Sequence, residues 1–363
     1  MRKSRTRALR DFERQSTDDA VRRLMDGDLD GSMHAFERAE LAKGLIDHIQ
    51  DASWRGRLLP VAVAILCGTV ATVLAVYRIP SANLNAQIRS TSAAFSPAST
   101  FEWKGNISVG SDELRFDKYA ASLEAPQTDE PPGVEGRGSL GLAKGRAALK
   151  SLSVASGGHV TFELDASGQL QIFTNRSRAS AQLLFWGKVQ VDLQSDGHAQ
   201  SEPFDVEVPE TLYLDRVDKG VLPSVLQFTP KQSFELPLIE VSEVSFSREV
   251  LENNEATFRS SILEADLTIV DTDEEVSVGP NQSLTLVGFT GQIRRMSVGD
   301  EIQLSLTGKA EDIIVASGDV QRSLVPTYLS FMYQNQQIAL VWSGVMFLWG
   351  MLWSVGRFII RRS

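Results

Sequence analysis

Two kinds of hydrophobic pattern divide the chain. Residues 58–77 (LLPVAVAILCGTVATVLAVY) and 338–356 (IALVWSGVMFLWGMLWSVG) are unbroken apolar runs without a charged residue. At 1.5 Å rise per residue each run matches the roughly 30 Å hydrocarbon thickness of a bilayer, which predicts two transmembrane helices. Between them the pattern changes to period two. Val160, Phe162 and Leu164; Val189, Val191 and Leu193; Leu267 and Ile269; and Ile302, Leu304 and Leu306 alternate with polar residues and are bounded by Gly, Asn, Asp or Pro. Such alternation predicts strands with one buried and one wet face. No helical pattern of 10–15 residues separates these strands, so parallel βαβ units are disfavoured. An antiparallel sandwich, jelly roll or elongated β-stack is expected.

Before the first run the spacing turns helical. Residues 17–25 and 33–50 predict two short helices, the second with Phe36, Leu41, Leu45 and Ile49 as an apolar stripe. Two helices of this length bury too little surface to be stable alone, so the stripe is expected to meet a protein partner, a second copy or a membrane surface. Residues 78–100, rich in Ser, Ala, Pro and Asn, read as a linker. Residues 101–320 then form the β domain and 321–337 an interfacial segment, uncharged and aromatic from Ser323 to Gln337 with Tyr328, Phe331 and Tyr333, suited to a helix at an interface. The stretch 124–138 (EAPQTDEPPGVEGRG) reads as a loop.

Charge supplies an orientation. Lys43, Arg55 and Arg57 precede the first run, and Arg357, Arg361 and Arg362 follow the second. The excess of basic residues at these outer ends predicts a cell inner-membrane protein with segments 1–57 and 357–363 cytosolic and 78–337 extracytoplasmic. The stretch between the runs holds 21 basic and 35 acidic residues, which argues against nucleic acid as its ligand. A cleaved signal peptide fits 58–77 poorly, because 57 residues precede it. The lone Cys67 leaves the β domain without disulfides, and with the Asn-x-Ser triplets at Asn106, Asn175 and Asn281 common by chance, a bacterial envelope is the favoured setting. Small residues at every fourth position, Ala64, Gly68 and Thr72 in the first run and Ala339/Ser343 and Gly350/Ser354 in the second, predict close helix packing within a chain or in a homo-oligomer.

Candidate chemistry is sparse. Asp26, Asp28, Asp30, Gly31, Ser32 and Glu37 in DGDLDGSMHAFE follow the spacing D-x-D-x-D-G-x5-E, in which alternating carboxylates and a final bidentate Glu enclose a hard cation. This segment resembles an EF-hand loop, and the resemblance implies calcium coordination by Asp26, Asp28, Asp30, Ser32 and Glu37. His34 departs from the family at the ninth position, and there is no second loop to pair with. The competing reading is a turn in which Asp and Gly end one helix and Asp30 or Ser32 caps the next; no other cofactor is expected. The layout of short helices with LMDGDLD, an apolar run and a β-rich domain also resembles membrane-bound anti-sigma regulators, although the His/Cys zinc cluster of many members is missing.

His159 and His198 each stand in a Gly-containing turn without a triad or ligand partner at a telling spacing. Gly136, Gly138 and Gly141 spell G-x-G-x-x-G, but no predicted strand precedes them. Asp271, Asp273, Glu274 and Glu275 read as a solvated hairpin tip. These patterns favour a non-enzymatic scaffold or transmembrane regulator whose β domain binds an envelope partner and whose helices bind a cytosolic one. A lipid- or glycan-handling carrier module and a membrane-anchored hydrolase are the alternatives, the first requiring a cavity and the second a cleft with paired acids.

Overall fold

A computed structural model describes residues 2–124, 136–195, 198–216, 222–252, 255–280, 282–317, 320–339, 342–347 and 349–351. It divides into two units, Met1–Val76 and Tyr77–Ser363.

The first unit is a helical hairpin of α1 (Arg2–Met25) and α2 (Leu29–Val76), which pack along each other. The reversal is built by Gly27. Its φ of 81° lies in the left-handed region, where Gly avoids the Cβ clash that other residues meet. The amide of Gly27 donates to the carbonyl of Leu24 at 3.3 Å and that of Asp28 to the carbonyl of Arg23 at 3.0 Å, closing α1 with a Schellman motif. The Asp28 carboxylate then accepts from the amide of Gly31 at 3.1 Å and caps α2. Ser32, Ala35, Ala39, Ala42 and Ile46, alternately three and four apart, are buried, as is Ala20 of α1. This is the 3.5-residue seam of a coiled coil, made here from mostly small side chains that let the backbones approach.

These observations correct the membrane reading. No helix among the described residues is long and apolar enough to cross a membrane. The run 58–77 is not a separate apolar element: all but its last residue belong to α2, a helix of 48 residues that also carries Asp30, Glu37, Arg38, Glu40 and Lys43. In the run 338–356 the described helical residues are 338–339, 342–347 and 349–351, which make no long helix. The two transmembrane helices, the inner-membrane placement with cytosolic termini, and the assignment of 78–337 to the extracytoplasmic side therefore have no support in the structure.

The second unit is mostly antiparallel β-sheet, and strand accounts for 58% of the structure. The strands are β1 (Ala82–Ser90), β2 (Ser92–Pro97), β3 (Phe101–Ser108), β4 (Glu113–Ser122), β5 (Gly136–Val154), β6 (His159–Leu164) and β7 (Leu170–Asn175). They continue as β8 (Ala179–Ser195), β9 (His198–Arg216), β10 (Ser224–Phe228), β11 (Phe234–Leu236), β12 (Ile239–Ser245), β13 (Ser247–Glu252) and β14 (Glu255–Ser260). The last seven are β15 (Ile262–Ile269), β16 (Glu274–Val278), β17 (Gln282–Val287), β18 (Thr290–Val298), β19 (Ile302–Ala310), β20 (Asp312–Ser317) and β21 (Val320–Ser323), followed by α3 (Tyr328–Gln334).

The four alternating segments read from the sequence are strands β6, β8, β15 and β19, and their apolar positions, apart from the half-buried Leu193, are buried. The expected linker is different. Residues 82–97 form β1 and β2, and β1 lies between β15 and β19 with Ala82, Leu84, Ala86, Ile88 and Ser90 buried in strict alternation. Pairing runs from β16 through β15, β1, β19 and β18 to β12, then through β2, β6, β7 and β10 to β4.

Beyond β4 the long strands β5, β8 and β9 pair along most of their length. β4 runs beside β5 over Glu113–Tyr119 and beside β9 over Ala120–Ser122. The register with β5 shifts at Lys118, whose φ of 58° marks a bulge just before the change of partner. One continuous apolar core fills the unit; within it Phe95 stacks on Phe162 with ring centroids 6.0 Å apart. The entering and leaving chains meet: the amide of Ile79 donates to Pro326 at 3.0 Å and that of Tyr328 to Tyr77 at 2.9 Å. Thr327 caps α3, the short helix expected in the aromatic segment.

Candidate functional site: an apolar hairpin flank and a polar groove

The hairpin is arranged inside out in residue size. Ser32 and alanines fill its seam as far as Ala42, with Ile46 beyond, whereas Val21, Leu24, Met25, Leu29, Met33 and Phe36 are exposed. At about 100° per residue, Leu29, Met33 and Phe36 fall on one flank of the α2 seam, and Val21 and Leu24 on the corresponding flank of α1. Antiparallel right-handed helices that face each other turn corresponding flanks to the same side, so these side chains form one patch near the closed end. Leu41 and Leu45 are also exposed, but the same geometry puts them beyond the other flank, away from Phe36. The stripe read as Phe36, Leu41, Leu45 and Ile49 is therefore split, and the side chain of Ile49 lies outside those described. Leu29 falls in the segment read as a cation loop or turn, and Met33, the first residue of the helix read over 33–50, also falls in that loop and so stands outside the stripe.

The structure does not gather the calcium ligands. Asp30, Ser32 and Glu37 are helical residues of α2, and only Asp26 and Asp28 lie in the turn. Asp28, rather than Asp30 or Ser32, is the cap. The Ser32 hydroxyl is turned back onto the carbonyl of Leu29 at 2.8 Å, and Glu37 faces His34 at 3.4 Å. Among the described residues no three His, Cys, Asp or Glu side chains are grouped so as to hold a metal.

The small-residue positions divide between the units. Ala64, Gly68 and Thr72 are in α2, where the Thr72 hydroxyl donates to the carbonyl of Gly68 at 2.8 Å; Ala339, Ser343 and Gly350 are in the second unit, and Ser354 lies outside the described residues. Among the described residues, nothing beyond the local helix backbone lies within 4 Å of where a Cβ would stand on Gly68 or Gly350, so neither glycine marks a close approach there.

In the β unit His159 Nδ1 is 3.3 Å from the Ser96 hydroxyl, which donates to Glu243 at 3.3 Å. Imidazole and carboxylate thus meet the same hydroxyl. A nucleophile relay needs the carboxylate on the far nitrogen of the imidazole. Burial lowers the His159 pKa and favours the neutral ring. The side chain of His198 lies outside those described. Asp271 is a structural residue: it accepts the amide of Asn83 at 2.6 Å and the Asn83 side chain at 3.0 Å, fixing the start of β1. Gly138, read in a chance nucleotide motif, lies in β5, where a Cβ would strike the ring of Phe116.

The register across β10, β4, β5, β8 and β9 creates a feature that no single segment shows. Gln227, Arg115, Ser139, Asp192 and Ser201 stand directly opposite one another in successive strands and form one polar row. Their chain neighbours Leu226, Leu114, Phe116, Leu140 and Val191 point into the core. An open groove of about 620 Å³ lies on this row. Its charges are paired: Arg115 holds Glu113 at 2.7 Å and Arg137 holds Asp117 at 3.2 Å, while Asp192 accepts from Ser201 and, at 3.2 Å, from the Gln190 amide. Arg115 foremost keeps the Glu113 carboxyl below its ordinary range. An apolar cleft of about 190 Å³ beside Leu123, Phe204 and Leu212 is below the ~300–1,000 Å³ usual for ligand pockets.

No family model matches this chain, and no curated protein matches it.

Proposed function

We propose that the protein is a scaffold that assembles through its helical hairpin, with a second copy of the same hairpin as the occupant of the apolar flank. The observation that carries this reading is the inversion of side-chain size, with Ala20, Ala35, Ala39 and Ala42 inside and Val21, Leu24, Leu29, Met33 and Phe36 outside on one side. A two-helix hairpin with an alanine seam buries little apolar area, and the larger side chains supply the missing burial only when covered.

A two-fold axis along the hairpin would place the patch on its own copy and complete an antiparallel four-helix bundle. In that arrangement Arg14 and Glu40, equidistant from Gly27 and on the same flank, face each other twice across the interface. Arg10 and Lys43 lie farther toward the open end.

The test is sedimentation equilibrium of the full chain. Wild type is expected to dimerise, and Met33→Asp or Phe36→Asp to weaken the dimer by at least tenfold, while Leu41→Asp does not. A chain monomeric at all concentrations, or one equally sensitive to Leu41→Asp, would overturn the reading.

A further inference from the structure

We infer that the groove over β10, β4, β5, β8 and β9 binds a neutral oligosaccharide. The five residues of the row come from five adjacent strands. At about 4.8 Å between strands the row runs for roughly 19 Å, the form of an extended chain rather than a compact ligand. It presents an amide, a guanidinium, two hydroxyls and a carboxylate, so donors and acceptors both occur along its length. Hydroxyl groups, each both donor and acceptor, match such a surface in either sense.

Electrostatics selects among polar ligands. The groove contains Glu113, Asp117 and Asp192 against Arg115 and Arg137, and both guanidiniums already face carboxylates. An anionic polymer would have to displace those partners and would meet one surplus negative charge. A cation would meet carboxylates held by guanidinium, hydroxyl and amide groups. A neutral ligand leaves the pairs intact and uses the N–H donors of Arg115 that Glu113 leaves over, since a guanidinium carries five.

An extended peptide is disfavoured by position. The groove lies on a sheet face, whereas peptides that add to a sheet require a free edge, and at the row β4, β5 and β8 are paired on both sides. An open groove held by hydrogen bonds implies modest affinity, on the order of 0.1–1 mM.

The experiment is calorimetric titration of the full chain with maltohexaose, cellohexaose and hexa-N-acetylchitohexaose at millimolar concentration, with hexagalacturonate as the acidic comparison. Saturable binding of at least one neutral hexaose is expected. Gln227→Ala combined with Ser139→Ala should weaken it at least tenfold with cooperative unfolding retained, although the bond from Gln227 to Gln169 at 2.7 Å is also lost, and Gln303→Ala, on β19, should leave it unaltered. The inference is overturned if no neutral hexaose saturates, if the double variant binds as well as wild type, or if hexagalacturonate binds more tightly than every neutral sugar. None of these outcomes depends on hairpin assembly.

Discussion

Two glycine substitutions in the hairpin should have opposite signs. Gly27 has a φ of 81° and, among the described residues, nothing within 4 Å of where a Cβ would stand, so Gly27→Ala bears the backbone cost of the left-handed region, about 1–2 kcal/mol. Gly44 lies inside α2, again with nothing within 4 Å. There the entropy term favours alanine by about 0.5–1 kcal/mol. Because a pKa-unit-sized change of 1.36 kcal/mol is tenfold in an equilibrium, the opening constant of the hairpin should rise roughly 5–30-fold in the first variant and fall about 2–5-fold in the second.

Hydrogen exchange of α1 and early α2 amides in the full chain reads this directly, because local opening exposes them independently of the β unit. The Asp28 cap gives an internal check: Asp28→Ala should speed exchange at Gly31 and its neighbours, with a cost of about 0.5–2 kcal/mol. If 26–37 were instead a cation loop, millimolar calcium would slow exchange in wild type and Asp28→Ala would abolish the effect. A neutral or stabilising Gly27→Ala, or calcium-dependent protection, would refute the Schellman turn as the organising feature of this unit.

Leu267→Ala in β15 should cost about 2–5 kcal/mol in denaturant unfolding, because the side chain is fully enclosed, whereas Leu263→Ala, 40% exposed on the same strand, should cost far less. Asp271→Ala removes both bonds to Asn83 and should loosen the start of β1, seen as faster exchange at residues 82–84. The pH dependence has two signs. Glu113 and Glu301, held below their ordinary range foremost by Arg115 and Arg89, stabilise the fold above the unfolded carboxylate pKa, and that contribution is lost as pH falls through the lowered folded values. Burial raises Asp215, so its favourable contribution is present at acid pH and lost as pH rises through the raised folded value; Asp215→Asn should raise the thermal midpoint at pH 7 and not at pH 3.

The legible parts of this chain are those where side-chain size reports burial. Val160/Phe162/Leu164 and Ile302/Leu304/Leu306 carry large apolar groups at period two, and β6 and β19 follow. β1 was hidden because Ala82, Ala86 and Ser90 fill three of its five inward positions, and β2 because all six of its residues are buried and none alternates. In the hairpin the same cue points outward: alanine carries little hydrophobic signal, so the pattern shows Phe36 and Leu41 as an outward stripe and leaves the seam through Ala35, Ala39 and Ala42 unread. Apolar length was also misleading, since the charge-free run 58–77 all but ends within a helix that begins at Leu29. The polar row could not be read from any segment, because Arg115, Ser139 and Asp192 become neighbours only through the pairing of β4, β5 and β8.

Hairpin assembly and groove binding would be linked through valency. A dimer carries two grooves on one particle, and a polymeric sugar that spans both converts the second binding step into an intramolecular one, raising apparent affinity by about 10²–10⁴ without a new contact. A hexaose cannot exploit this, because it occupies one groove. Met33→Asp should therefore leave the hexaose dissociation constant unchanged while removing the advantage of a soluble polymer of the same sugar. Gln227→Ala with Ser139→Ala should weaken both ligands and leave the sedimentation dimer intact. Equal affinity of wild type for polymer and hexaose, measured per sugar site at a concentration where the chain is dimeric, would show that the two grooves do not act together.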